Sequence, residues 1–475
     1  MVIGPAERFL LPEEPVESVE DWRALGGGEG LARARTQGAS QTIQELSLSR
    51  LRGRGGGGFG TGRKWAGVLA QPGTHRYVVA NGAEGEPATF KDRALMRANP
   101  YQLVEGLAIA SLTIGAREAF IAVKERFTTE LESVTRAVEE MSAAGLAGDV
   151  PITIVAGPDE YLYGEEKALL EVIEGHAPLP RLLPPFEHGL FATAPQTGWE
   201  SHEAEFPAQG AARALAGQSD EDQSNPTLVN NVETLSTVPH VLARGAEWHR
   251  SMGTSLSPGH IVATVVGDVV RPGVAEIELG TPLAEVIDGV GGGVAPGRAV
   301  KAVFSGVANA VITADHLDAP VSYEGLAAVG SGMGAAGFAV YDDTACMVDI
   351  AYQFSRFLSV ESCGQCAPCK LGAGEITDRL AAIETLEGTD ADVEAIGGRL
   401  RRVTDANRCY LGTEEQLVVS SILRAFPEEF AAHLEGTCPH PRDDIVVPKI
   451  VELGDGKVTY DLRHLRKRPD WTYAG

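Results

Sequence analysis

Tyr77-Val-Val-Ala-Asn-Gly-Ala-Glu-Gly-Glu86 is the stretch that decides the fold. Its first four residues are apolar and partly β-branched, and they are too few for a helix, so they read as a buried strand. The apolar run stops abruptly in Asn81-Gly-Ala-Glu-Gly-Glu86. In an open α/β sheet the carboxyl ends of strands are where ligands sit. Similar runs recur at Ala119-Phe-Ile-Ala-Val123 and Ile152-Thr-Ile-Val155. Between them Pro100 to Gly115 reads as a helix with Leu103, Leu107, Ala110 and Leu112 near one face, and Thr128 to Ala144 as a charged amphipathic helix. Strands alternating with helices predict an α/β layer.

Upstream lies Gly53-Arg-Gly-Gly-Gly-Gly-Phe-Gly-Thr-Gly62, followed by Arg63 and Lys64. Without Cβ atoms, Gly53, Gly55 and Gly56 allow backbone N–H groups to approach a phosphate or a flavin edge. Lys64 suits a phosphate or the reduced flavin edge. No G-K-[ST] follows, so this is not a P-loop, and no strand leads into it as a Rossmann fingerprint requires. The plain alternative is a flexible turn. Asn81 is placed to meet ring or ribityl oxygens, and Glu86 to accept from a ribose hydroxyl or an amide. Glu165-Glu166, after Tyr161-Leu-Tyr-Gly164, is an acidic pair opening a helix, and Asn230, Asn231 and Thr234 form a further polar cluster. Each alone fits a helix cap or a solvated surface; with the glycine loop they make a pocket.

The six cysteines all lie in the last third of the chain. Cys363-Gly-Gln-Cys-Ala-Pro-Cys369 is C-x2-C-x2-C, and Cys409 follows at a distance. Three thiolates from one tight turn and a fourth from elsewhere suit a [4Fe–4S] cluster. Structural zinc, the rival, prefers two pairs. Cys346 and Cys438 read as a buried and an exposed thiol.

The chain has 475 residues, enough for two to four domains, and 44% hydrophobic residues, enough for packed cores. Its net charge of −25 argues against nucleic-acid binding, since phosphates would be repelled. No apolar run approaches the roughly 18–20 residues that span a bilayer. The acidic, proline-containing start has no signal-peptide pattern, and a cytoplasmic protein, peripheral to a membrane only through a complex, is expected. The expected divisions are a leader over 1–50, an α/β domain over 51–250 interrupted by a long loop at 187–225, a small α+β domain over 255–338, a helical cysteine domain over 345–437 and a tail over 438–475. A hairpin is expected at Leu453-Gly-Asp-Gly-Lys457. The basic run Arg463 to Arg468 is expected to be a solvated end.

Five segments keep a recognisable order: Leu51 to Trp65; Glu84-Gly-Glu-Pro87 with Phe90-Lys-Asp-Arg93; Tyr161-Leu-Tyr-Gly-Glu-Glu166; Val229-Asn-Asn-Val-Glu-Thr234; and Glu361-Ser-Cys-Gly-Gln-Cys-Ala-Pro-Cys369. Together they resemble the flavin-bearing NADH dehydrogenase subunit of respiratory complex I (the 51 kDa or F subunit), a family that includes diaphorase subunits of formate dehydrogenases and hydrogenases. The resemblance runs from about residue 45 to 435. It implies a Rossmann-like FMN-binding domain, a small ubiquitin-like (β-grasp, SLBB-type) domain and a C-terminal helical bundle carrying the iron–sulfur cluster. It implies FMN contacts from Gly53, Gly55, Lys64, Asn81, Glu165 and Asn231, nucleotide contacts from Phe59, Glu86, Glu166 and Phe186, and cluster ligation by Cys363, Cys366, Cys369 and Cys409. Glu86 and Lys64 are the side chains it brings nearest the reaction. The implied cofactors are FMN, the [4Fe–4S] cluster and NAD(H), and the implied partners a thioredoxin-like [2Fe–2S] subunit and a larger redox complex taking electrons to quinone or another acceptor.

Four positions depart from the family pattern. Ala83 stands where the family has Asp, Leu183 in Pro180-Arg-Leu-Leu-Pro-Pro-Phe186 where it has Lys, and Gly67 where it has a second adenine-stacking aromatic. The segment between Phe186 and Pro226 is longer by roughly thirty residues than the family pattern, beyond ordinary loop length. Three of the four fall on the nucleotide side. They leave open an FMN and iron–sulfur electron-transfer subunit whose donor or acceptor is not NAD, and, against the intact glycine loop and Lys64, a scaffold with a decayed flavin site.

Overall fold

The computed structural model describes residues 8–73, 75–194 and 223–474. Four parallel strands form the first sheet: β1 (Tyr77–Gly82), β2 (Glu118–Lys124), β3 (Ile152–Gly157) and β4 (Thr227–Asn231), in the order β3-β2-β1-β4. The strands at 77, 119 and 152 thus form where the apolar runs predict. The chain moves outward from β1 through β2 to β3, then returns to place β4 on the other side of β1. That reversal puts a switch point at the carboxyl ends of β1 and β4, where Asn81 lies opposite Asn231 in register.

Both faces of this sheet are covered. Val78, Ala80, Ile121 and Leu228 join a core with the helices Glu29–Leu48, Pro100–Ile114 and Val232–Arg244. Tyr77, Val79, Phe120 and Ala122 pack on Leu169 and Leu170 of the helix Glu166–Ile173. The helix Pro100–Ile114 corrects its expected amphipathic face. It is buried almost all round, and Leu112, assigned to the buried stripe, is the side chain that reaches solvent. Its close fit depends on Gly106, where an added Cβ would overlap the Leu235 carbonyl. Gly106→Ala is expected to cost about 1–3 kcal/mol through this backbone clash, read as a lowered thermal midpoint. The leader is no appendage: Trp22, Leu31 and Leu46 belong to the same core.

The second sheet is mixed, with β5 (His260–Gly267), β6 (Gly273–Glu278), β7 (Val300–Ser305), β8 (Ile312–Thr313) and β9 (Gly337–Asp342) in the order β6-β5-β9-β7-β8. β5 and β9 run parallel and the other pairs antiparallel. With the helix Leu283–Gly291 on one face, this is a β-grasp arrangement. Strand alternation serves two cores: Ile261, Val265 and Val303 face Val286 and Ile287, while Val266, Ala302 and Phe304 face the C-terminal helices. Because β9 is central and reaches Asp342, the boundary expected at residue 338 moves beyond that strand.

Helices Met347–Glu361, Ala367–Glu384, Asp390–Leu400, Leu411–Ala425 and Pro427–Leu434 make the C-terminal bundle. The hairpin forms as β10 (Ile450–Gly454) and β11 (Lys457–Tyr460). The expectation of a solvated basic end holds for Arg463, Arg466 and Arg468, which are exposed, and fails at Lys467. Lys467 and His464 are buried, and both bind the buried Glu361 carboxylate, at 2.9 and 3.0 Å. A basic run is solvated only where no buried acid awaits it, and Glu361 lies 106 positions before Lys467 in sequence. Of the long 187–225 loop, residues 195–222 lie outside the described residues. Among the described residues no helix is long and apolar enough to cross a membrane.

Candidate flavin and cluster site

A cavity of about 620 Å³ opens at the switch point, within the range of pockets that hold small-molecule cofactors. Gly55, Gly56 and Gly57 form one wall, and Asn81, Ala83, Glu84, Gly85 and Glu86 follow from β1. Gly56 has φ +108°, which a side chain would strain. The loop is held from behind by Arg54, whose N–H donates to Thr234 Oγ1 at 2.9 Å and whose guanidinium donates to the His260 carbonyl at 2.9 Å.

Two helix N-termini meet here. Asn231 caps the helix Val232–Arg244 by accepting from the Glu233 N–H, and its amide donates to Asp92 at 2.7 Å. Glu165 caps the helix Glu166–Ile173, accepting from the N–H groups of Lys167 and Ala168, both at 2.9 Å. Burial pushes Glu165 up to about 7. Asn81 donates to the Gly164 carbonyl at 2.8 Å and so ties β1 to that cap. Glu86 accepts from the Tyr161 hydroxyl at 2.5 Å and from the Val307 N–H at 2.7 Å. Burial pushes it up to about 7 against those hydrogen bonds.

Not every predicted side chain faces the cavity. Asn230 accepts from the buried Trp65 indole at 2.8 Å and braces the helix after the glycine loop. Thr234 supports Arg54 as above, and Gly53 accepts from Tyr323 behind the wall. Lys64 pairs with Glu166 at 2.7 Å, both partly exposed and neither lining the cavity. Phe59 and Phe186 are 49% and 37% exposed, available to a ligand that extends outward. Gly67 faces open space, and the Arg63 guanidinium lies 5.2 Å from the Phe59 ring centre.

Some walls escaped sequence reading. Glu414 lines the cavity with a carboxyl oxygen 3.2 Å from the Tyr161 hydroxyl oxygen; burial and the nearby Glu86 hold it well above the usual carboxylate range. Ala308, Asn309, Gly334 and Ala335 come from the β-grasp domain. The glycine run at 330–337 is a sequence signal for Gly334 and Ala335, whereas Ala308 and Asn309 carry none. Under the floor, Lys91 sits between Asp92 at 2.8 Å and Glu233 at 3.1 Å, all buried. Removing one member of such a network leaves an unpaired charge.

Cys363, Cys366, Cys369 and Cys409 converge on one small, mainly apolar cavity with Leu162 and Leu411. Among the described residues all six cysteines are free thiols. Gly364, at φ +83°, makes the turn between the first two. The Arg408 N–H donates to Cys366 Sγ at 3.3 Å, and Ser362 Oγ lies 3.4 Å from Cys369 Sγ. Four soft donors with N–H and O–H groups turned to sulfur fit an iron–sulfur cluster. Leu162, Cys409 and Leu411 line both cavities, so one layer of side chains separates them.

The chain matches the Nuo51 FMN-binding domain over residues 46–240, the SLBB domain over 262–305 and the NADH-ubiquinone oxidoreductase-F iron-sulfur binding region over 349–433. It is 36% identical to the F 2 subunit of the NADH-quinone oxidoreductase of Rhizobium meliloti, across 88% of this chain and 95% of that one. It is 33% identical to the HndC subunit of the NADP-reducing hydrogenase of Solidesulfovibrio fructosivorans, across 89% of this chain and 82% of that one. Among solved structures it is similar to the NAD+-reducing [NiFe]-hydrogenase in its H2-reduced state, with a TM-score of 0.72 and 29% identity over 90% of this chain and 68% of that one.

Proposed function

The chain belongs to the family of NADH-quinone oxidoreductase F subunits, and we propose that it is the electron-entry subunit of a larger redox complex, taking a hydride from NADH. The observation that carries this is the shared layer of Leu162, Cys409 and Leu411 between the two cavities. When bound, FMN supplies hydride acceptance and the [4Fe–4S] cluster one-electron transfer.

The residues then divide the work. The N–H groups of Gly55 and Gly56 and the two capped helix N-termini favour the electron-rich edges of a flavin phosphate and ring. Asn81 and Asn231 orient it, and Lys64, paired with Glu166, follows the glycine loop. The nucleotide extends toward Phe59 and Phe186. With Gly67 in place of a second ring, Arg63 is the group able to cover the other face of an adenine. Cys363, Cys366, Cys369 and Cys409 hold the cluster. A thioredoxin-like [2Fe–2S] partner and a cytoplasmic location complete the proposal.

Glu86 is the residue we assign to the nicotinamide end. Its raised folded value means that its ionisation opposes folding above the ordinary carboxylate range of about 4, so a ligand that donates to the carboxylate recovers that cost. Below about 7 Glu86 is protonated and loses acceptor capacity. The KM for NADH is therefore expected to rise as pH falls through that value. Glu86→Gln is expected to give a flat profile. A wild-type KM that ignores pH there would remove Glu86 from nucleotide binding.

Gly67, Leu183 and Ala83 favour a second reading, an electron-transfer subunit with a non-NAD donor or acceptor. Steady-state reduction of ferricyanide by the purified protein separates the two. NADH-driven turnover supports the first, whereas turnover only in the presence of a reduced ferredoxin or a hydrogenase partner supports the second.

A further inference from the structure

Two cysteines remain outside the cluster. Cys346 is buried at the N-cap of the helix Met347–Glu361, directly after the last β-grasp strand. Cys438 lies past the helix Pro427–Leu434, where Gly436 at φ +82° folds the chain back. His433, in the last turn of that helix, is buried between them. The Sγ atoms of Cys346 and Cys438 and a ring nitrogen of His433 all lie within 4.8 Å of one another.

We propose that Cys346, His433 and Cys438 bind a zinc ion at a site separate from the iron–sulfur cluster. Cys346 Sγ stands 3.5 Å from His433 Nε2. A tetrahedral ion with Zn–S of about 2.3 Å and Zn–N of about 2.0 Å sets its sulfur and nitrogen ligands about 3.5 Å apart. His433 Nδ1 is 2.8 Å from the Glu429 carbonyl and donates to it, leaving Nε2 as the acceptor that meets the Cys346 thiol. This is the orienting contact that metal-bound histidines use. Burial pushes the Cys346 thiol up, against the N–H groups at Val348 and Asp349 of the helix it heads, which approach its sulfur. Two thiols and one imidazole match zinc in softness and geometry. His433 and Cys438 have the short spacing of zinc-binding pairs. Binding displaces the two thiol protons to solvent, and water completes a fourth position.

The site has a structural consequence. It fastens the start of the C-terminal tail to the junction of the β-grasp sheet and the helical bundle. Just beyond it Arg442 grips Asp268 with two hydrogen bonds, at 2.7 and 3.0 Å. The site is therefore a clasp between two cores.

The test is zinc and iron content of the full chain, purified without oxygen or chelator. About one zinc per chain is expected alongside the cluster iron. Cys438→Ser and His433→Gln are each expected to lose the zinc while keeping the iron and the visible cluster absorbance. Cys438 is only partly buried, so Cys438→Ser is the variant least exposed to failure of folding. Cobalt(II) added to zinc-free protein is expected to give thiolate charge-transfer and tetrahedral d–d bands that both substitutions abolish. Zinc retained in both variants would put the metal elsewhere, the four-cysteine site included, and overturn the proposal. So would wild-type protein that takes up neither metal, or a Cys346–Cys438 disulfide in protein kept free of oxygen.

Discussion

Cys409→Ser is expected to yield a protein that takes up flavin yet carries less than about a quarter of the wild-type iron, because a cubane held by four thiolates loses one corner. Cys409 is the ligand with the largest consequence because it lines both cavities. It comes from the turn that opens the helix Leu411–Ala425, whereas the other three come from one loop and the first turn of the helix Ala367–Glu384 that follows it. Burial pushes the Cys363 and Cys369 thiols up, Cys369 to about 11. Without a metal these are neutral thiols in an apolar hole, and a hydroxyl offers a much harder ligand than a thiolate. NADH-driven transfer to a partner should fall by orders of magnitude, while bleaching of the flavin by NADH persists. Iron content and anaerobic spectra of the variant check this. Full iron occupancy with serine at 409 would remove Cys409 from the ligand set.

Lys467→Met is expected to destabilise the fold by about 3–5 kcal/mol, since it leaves the Glu361 carboxylate buried without its ammonium partner. Both Glu361 oxygens lie 2.9 Å from Lys467 Nζ. Glu361 also accepts from the Tyr161 N–H at 3.2 Å and meets His464 Nε2 at 3.0 Å. It precedes the cysteine loop by two positions and so joins the tail, the flavin-cavity wall and the cluster loop. Lys370, inside that loop's helix, donates to the carbonyls of Ser362 and Pro469 at 2.7 and 2.6 Å. Methionine keeps much of the lysine's shape, so the loss reads the charge more than the packing. The double variant Lys467→Met with Glu361→Gln should regain part of the stability, because neither side then carries an unpaired charge. Denaturant unfolding of the three variants measures it. A single variant as stable as wild type would mean that the tail does not close on the bundle.

How much of this was legible in the sequence follows from the range of each interaction. The strands at Tyr77, Ala119 and Ile152 announce themselves in short apolar runs, and the C-x2-C-x2-C turn in its spacing. The glycine loop was readable as a wall because a missing Cβ has one use near a ligand. Side-chain direction was not. Asn230 and Asn231 are adjacent, yet β alternation turns one to Trp65 and the other to the cavity. Glu414 and Asn309 join the cavity from other domains, and only tertiary packing brings them there. Lys467 looked solvated because its acid partner lies far away in sequence. Leu112 looked buried because a helix enclosed on nearly all sides has no single apolar stripe to detect.

The central claim is that electrons enter from NADH and leave through the cluster. It is tested most directly by an anaerobic visible spectrum of the purified protein before and after a stoichiometric addition of NADH. Bleaching of the flavin bands with partial loss of the cluster absorbance is the predicted result. Flavin and cluster bands that stay unchanged with NADH and fall only with dithionite would contradict it, and would move the electron donor to another molecule.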